Sequence, residues 1–191
     1  MMIIIKNRVN SISSLLSTPR EIGIHVDVRT YKDSLIVQHE PFTEGDSLEE
    51  YMENFSHKFI IFGIKSEGTE SKVIEVAEKF KIENYFLLGV SPASAKKLMA
   101  KEFKKFAIRF SDMESLETCR LWAGRAEWVW VDIFRDFSLD EQSASVLKKS
   151  FRICTISPEM IGLRGALERY RGKMNMLKID AVCTDMPELW K

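Results

Sequence analysis

Residues 58–103 read KFIIFGIKSEGTESKVIEVAEKFKIENYFLLGVSPASAKKLMAKEF. The runs at 58–65 and 85–91 are apolar, rich in Ile and Phe, and short enough for strands. Residues 70–81 and 93–102 carry their charges at helical period. Strand, helix, strand, helix is the pattern of parallel strands joined by crossover helices. The punctuation agrees, because Thr69 stands before Glu70 as a cap and Ser91-Pro92 puts a proline at a first helical position.

Working outward, the same alternation reaches both ends of the chain. Further strands are expected at 2–6, 22–29, 106–111, 128–133, 151–156 and 180–183, making eight in all. Helices are expected at 11–17, 47–55, 115–124, 139–149 and 165–177, with Ser138 before the fourth of these as its cap and Gly124 as a C-terminal stop. An extra hairpin arm, 34–40, follows the second strand only. No linker or shift of composition interrupts the series, so residues 1–191 are expected to form one domain. The candidates are an open doubly wound sheet and a closed barrel, and eight units favour a compact (β/α)8 barrel. At 191 residues the chain lies just below the usual size of such barrels, roughly 200 residues and up, which leaves little for long loops.

Composition narrows the function classes. With 28 Lys+Arg against 28 Asp+Glu the chain lacks the basic excess that phosphate neutralisation requires, so no nucleic-acid partner is expected. At this length a fold buries roughly 70% of its unfolded surface and needs no metal or disulfide to hold a core. Cys119, Cys154 and Cys183 are odd in number and widely spaced, which reads as buried thiols in a reducing compartment. The start MMIIIKN has too short an apolar run for a signal peptide, whose core takes roughly 7–15 residues, and no stretch approaches the roughly 18 residues of a membrane span. A cytoplasmic protein is expected.

Ligands of parallel α/β folds bind beyond the carboxyl ends of the strands, so ionisable residues there carry the most weight. In IGIHVDVR, residues 22–29, a period of two puts Gly23, His25 and Asp27 on one face and Ile24, Val26 and Val28 on the other. In FIIFGIK, 59–65, Gly63 and Lys65 alternate with Phe62 and Ile64 in the same way. Arg109, Asp132 and Asp185 end later strands, Arg8 follows the first, and His39 ends the hairpin arm. Arg8, Lys65 and Arg109 suit an anionic ligand, while Asp27 and Asp132 suit a cation or hydroxyl groups. Other features have plainer readings. His57, at the amino end of a strand, is expected at the surface, and residues 164–173 as a solvated basic helix face. Leu116 and Trp122 are expected in the core.

The segment DVRTYKDSLIVQHEP, 27–41, resembles the glycerophosphodiester phosphodiesterases, whose strand carries acid-x-Asp-Val followed by a Thr-Lys-Asp-Gly-like turn and Val-x-x-His-Asp-Pro. The likeness extends to IKNR at 5–8, where the family has His-Arg-Gly, to GIK at 63–65, where it has Glu-Ile-Lys, and to the tail DAVCTDMPEL at 180–189. It implies a barrel of the phospholipase-C-like phosphodiesterase type and hydrolysis of a small glycerol- or sugar-linked phosphodiester. By the same resemblance Arg8, Asp27, His39 and Lys65 retain family positions, and Glu40 replaces Asp. A divalent ion, Mg²⁺ or Ca²⁺, is implied as cofactor with Asp27 as a ligand.

Three departures bear on that implication: the first histidine position is Asn7, the Glu of the acid-x-Asp strand is His25, and the Glu before Ile-Lys is Gly63. The family's insertion after His-Asp-Pro is reduced here to residues 42–46. Hard divalent ions want about six oxygens and several carboxylates, and imidazole serves them poorly. Three readings follow. One is a phosphodiesterase with a rebuilt site in which His25 and His39 share proton transfer, Asp132 or Asp27 assists, and Arg8, Lys65 and Arg109 hold the phosphate. Another is a catalytically inactive phosphoester-binding protein of the same fold. The last is a scaffold whose strand-end charges merely pair.

Overall fold

The structure, a computed structural model, describes residues 2–191. In chain order its elements are β1 (Ile3–Lys6), α1 (Ile12–Ser17), β2 (Gly23–Tyr31), β3 (Ser34–Val37), β4 (Asp46–Ser47), α2 (Leu48–Glu53), β5 (Ile60–Ile64), α3 (Glu70–Lys79), β6 (Tyr85–Leu88), α4 (Pro92–Ala100), β7 (Ala107–Phe110), α5 (Leu116–Arg120), β8 (Trp128–Val131), α6 (Glu141–Leu147), β9 (Arg152–Ile156), α7 (Leu167–Met176) and β10 (Ala181–Thr184). The alternation expected from sequence is therefore an α/β fold. It is organised as two compact units, Lys6–Phe103 and residues 2–5 with Lys104–Lys191.

In the unit Lys6–Phe103, β2 pairs in parallel with β5, and β5 with β6. The register sets Asp27 opposite Gly63 and Val28 opposite Ile64. Ile24, Val26, Val28, Phe62 and Phe86 are fully buried, each worth roughly 1.5–3 kcal/mol of apolar transfer. Phe62 meets Tyr85 edge-on at 5.6 Å and Phe59 meets Phe86 at 5.9 Å. The far half of β2 turns at Lys32, φ 53°, into the antiparallel partner β3, and β3 pairs with the short β4, which sequence did not reveal. Thus β2 spends its first half in the parallel sheet and its second in the arm that carries His39.

In the other unit β7, β8, β9 and β10 form consecutive parallel ladders. Beside β10, the Ile3 N–H donates to the Asp180 carbonyl at 2.8 Å. Trp128, Val129, Ile153, Val182 and both strand cysteines make its core. Cys119, Cys154 and Cys183 are all free and buried, as the sequence implied. Burial pushes the Cys154 thiol well above its ordinary range, so it packs as a small apolar group.

Several local expectations needed correction. Ser91 precedes the first-turn proline of α4 as expected and its hydroxyl accepts from Ser94 N–H, while Ser11, expected inside the first helix, caps α1 instead by accepting from Ser14 N–H. Thr69 does not cap α3; its hydroxyl donates instead to the Ser66 carbonyl at 2.8 Å. Asp140, not Ser138, starts α6, through a capping box with Ser143. Leu116 and Trp122 are only half-buried. His57 is buried, and its Nε2–H donates to the Thr18 carbonyl at 3.0 Å, fastening the end of α1. The basic stretch around α7 is tethered rather than merely solvated: Tyr170 is buried with its hydroxyl on Asp136, Lys173 donates to the Phe137 carbonyl, and Arg171 to that of Leu189. Among the described residues no helix is long and apolar enough to cross a membrane.

Candidate functional site

Five of the residues singled out from sequence, Arg8, His25, Asp27, His39 and Lys65, lie in the unit Lys6–Phe103, and three of them, His25, His39 and Lys65, surround the carboxylate of Asp27. Asp27 is fully buried. Its Oδ2 accepts from Asn10 Nδ2 and from His39 Nδ1, both at 2.9 Å. Its Oδ1 lies 3.2 Å from the Lys65 ammonium and 3.6 Å from His25 Nε2. Burial pushes this carboxyl up, but His25, the Asn10 hydrogen bond, Lys65 and His39 together hold it below its ordinary range. Asp27 is ionised wherever the protein is near neutral pH.

The two imidazoles differ in kind. His25 is buried, and its Nδ1–H donates to Asn7 Oδ1 at 2.8 Å. Burial, the dominant cause, holds its pKa down at about 4 against the pull of Asp27, with Lys65, Arg8 and His39 lowering it further. It is a neutral ring at neutral pH. The His39 side chain is 31% exposed, with Nδ1–H on Asp27 and Nε2 turned outward, 3.7 Å from Glu40 Oε1. A carboxylate behind Nδ1 fixes the tautomer in which Nε2 carries the lone pair, the arrangement of an oriented general base.

Local chain geometry explains these placements. The segment after β1 is pinned by Val9, whose N–H donates to the His25 carbonyl at 2.8 Å and whose carbonyl accepts from the buried Tyr51 hydroxyl at 2.7 Å. That leaves Arg8 exposed in the left-handed region, φ 49°, a conformation that costs a non-glycine residue energy. Asn10 faces Asp27 with both ends of its amide, accepting the Asp27 N–H at 2.8 Å as well as donating to the carboxylate. Gln38 Oε1 accepts from the N–H groups of His39 and Glu40, at 2.7 and 3.1 Å, and Arg29 Nε donates to the His39 carbonyl at 2.8 Å. Sequence reading missed Asn10, Arg29 and Gln38. Arg29 had a signal, since it shares strand parity with His25 and Asp27; Asn10 and Gln38 sit in loops with none.

Arg109 and Asp132 belong to the other unit and are bonded to each other, with Asp132 Oδ1 also accepting from the Trp130 indole at 2.7 Å. Both oxygens of that carboxylate are taken by fixed donors.

The residues present do not fit a hard divalent ion. Among those described, no group of three His, Cys, Asp or Glu could hold a metal. Asp27 is one carboxylate where such an ion wants several, and a lysine already faces its Oδ1.

No family model matches the chain, and no curated protein matches it. Solved structures do. A glycerophosphodiester phosphodiesterase from Agrobacterium tumefaciens superposes with a TM-score of 0.70 over 100% of this chain and 99% of its own, at 13% identity. An Oleispira antarctica phosphodiesterase in complex with its product sn-glycerol-3-phosphate superposes with a TM-score of 0.71 over 97% of this chain and 94% of its own, at 15% identity. The chain shares the fold of these phosphodiesterases from end to end.

Proposed function

We propose that this protein is a phosphoester-handling relative of the glycerophosphodiester phosphodiesterases, one (β/α)8 barrel domain of the phospholipase-C-like type over residues 1–191, working in the cytoplasm on a small glycerol- or sugar-linked phosphodiester. The observation that carries the reading is His39 held by Asp27 beside Lys65. His39 Nε2 takes a proton from the attacking hydroxyl or water as its oxygen bonds to phosphorus, and Asp27 stabilises the imidazolium that forms. The P–O bond to the departing group breaks, and the leaving alkoxide takes its proton from water. Lys65 and Arg8 supply positive charge for the phosphoryl oxygens. His25, neutral and fixed by Asn7, packs against the buried carboxylate rather than acting as an acid. Arg109 and Asp132, already joined, have no part in this step.

One observation favours a second reading, a catalytically inactive phosphoester-binding protein. Asn7 stands at the position where the resemblance puts a histidine, and its amide cannot move a proton; it is already engaged with His25. The two readings separate in one experiment, turnover of a chromogenic phosphodiester together with calorimetric binding of glycerol 3-phosphate. As an enzyme, the wild type turns over and His39→Ala loses a factor of roughly 10²–10⁴. As a binder, the wild type shows no turnover above blank, while Arg8→Ala and Lys65→Ala each weaken binding by about 1.5–3 kcal/mol. Turnover that survives His39→Ala, or binding indifferent to both cations, overturns the proposal.

A further inference from the structure

Positions 25 and 63 exclude one another. A Cβ added to Gly63 would lie 2.6 Å from His25 Nε2 and 2.9 Å from Asp27 Oδ1, with the Val26 carbonyl oxygen at 3.4 Å. Contacts below 3.0 Å are not tolerated by real side chains, so something must move. His25 has little room to do so, being buried with Nδ1 fastened to Asn7 at 2.8 Å. Asp27 is held on one edge by Asn10 and His39. An imidazole at 25 therefore requires glycine at 63, and a carboxylate side chain at 63 requires the imidazole to leave. The two are a single packing unit, and the space it leaves in front of Asp27 Oδ1 holds the Lys65 ammonium at 3.2 Å.

We infer that Lys65 is the built-in cation of this site and that the His25/Gly63 pair keeps a divalent ion out, so that the phosphoester site works without metal. The inference rests on the functional reading above only for the ligand; the exclusion of metal stands on packing and charge. An ion approaching Asp27 meets one carboxylate whose charge Lys65 already balances. An ammonium is a compact point charge on a flexible stem, able to face a phosphoryl oxygen while staying on the carboxylate.

The test uses the purified full chain stripped with EDTA. Its melting temperature is expected to be unmoved by Ca²⁺, Mg²⁺ or Mn²⁺; a saturable rise with any of them that disappears in Asp27→Asn overturns the inference. Gly63→Glu alone is expected to lower the melting temperature, and His25→Glu/Gly63→Glu to recover it and acquire a Ca²⁺-dependent rise. Gly63→Glu that folds as well as wild type with His25 in place overturns the packing argument. Gly63→Ala, the smaller probe of the same contact, is expected to destabilise the wild-type background more than His25→Ala, where only the 2.9 Å approach to Asp27 Oδ1 remains; equal losses in the two backgrounds overturn the packing argument, which stays testable if the glutamate variants do not fold. Glycerol 3-phosphate is expected to bind equally in EDTA and in Ca²⁺, and Lys65→Met to weaken it at least tenfold; binding that needs metal, or is indifferent to Lys65, overturns the assignment. No binding by wild type in either buffer defeats the phosphoester reading, and the melting series then decides the metal question alone.

Discussion

Asp27, near the end of the parallel stretch of β2, and Asp132, just past the end of β8, both stand among apolar neighbours and both face a cation, yet they are different objects. Asp132 accepts from an indole N–H and a guanidinium, donors that offer no acceptor in return. Asp27 is wholly buried and shared among an amide, an ammonium and two imidazoles, one of them partly open to solvent. The first arrangement is a strut. The second includes an imidazole that reaches from the buried carboxylate toward solvent. Strand-end charge marks both; only the chemical type and exposure of the partners separates a site from a brace.

The largest effect should come from removing the buried carboxylate. Asp27→Ala leaves the Asn10 amide without its acceptor and Lys65 without its counter-charge, and is expected to cost about 3–5 kcal/mol in chemical denaturation. A loss below about 1 kcal/mol would put Asp27 in the same class as Asp132.

Acid should come next. His25 titrates at about 4 when folded against 6.5 when exposed, so between those values the unfolded chain holds the extra proton. Stability is then complete above pH 6.5 and falls by about 3 kcal/mol as pH drops to about 4, and His25→Asn should flatten that slope. A wild-type denaturation series that stays flat through this window would mean that His25 is charged in the folded protein.

Asn10→Ala removes one hydrogen bond to the ionised Asp27 and one from its backbone, for an expected loss of about 2 kcal/mol. It should also slow whatever His39 does, since Asp27 would then be free to turn. A variant with lowered stability and an unaltered pH profile of turnover or binding would make Asn10 a structural prop only. Arg109→Ala, whose side chain is 45% exposed, is expected to cost less than about 1 kcal/mol and to leave phosphoester binding unchanged. A tenfold loss of binding there would break the contrast between the two carboxylates.

The parallel α/β pattern, the placement of His25 and Asp27 on one face of β2, and the burial of all three cysteines were legible in the residues, because strand and helix periods and apolar content are properties of short stretches. So was the arm after β2, though not β4, whose two residues carry no periodic signal. His57 was misread for a related reason: its burial depends on Thr18, 39 residues earlier, offering a carbonyl. The same holds at the site. That Asn10 grips Asp27, that Gln38 and Arg29 fold His39 back onto it, and that glycine at 63 answers histidine at 25 are matters of ångströms between segments far apart in sequence. Periodicity says which way a side chain points. Whether the group it meets is a proton donor, a fixed charge or an empty volume is set by packing, because hydrogen bonds and steric exclusion act over distances shorter than one residue's uncertainty in register.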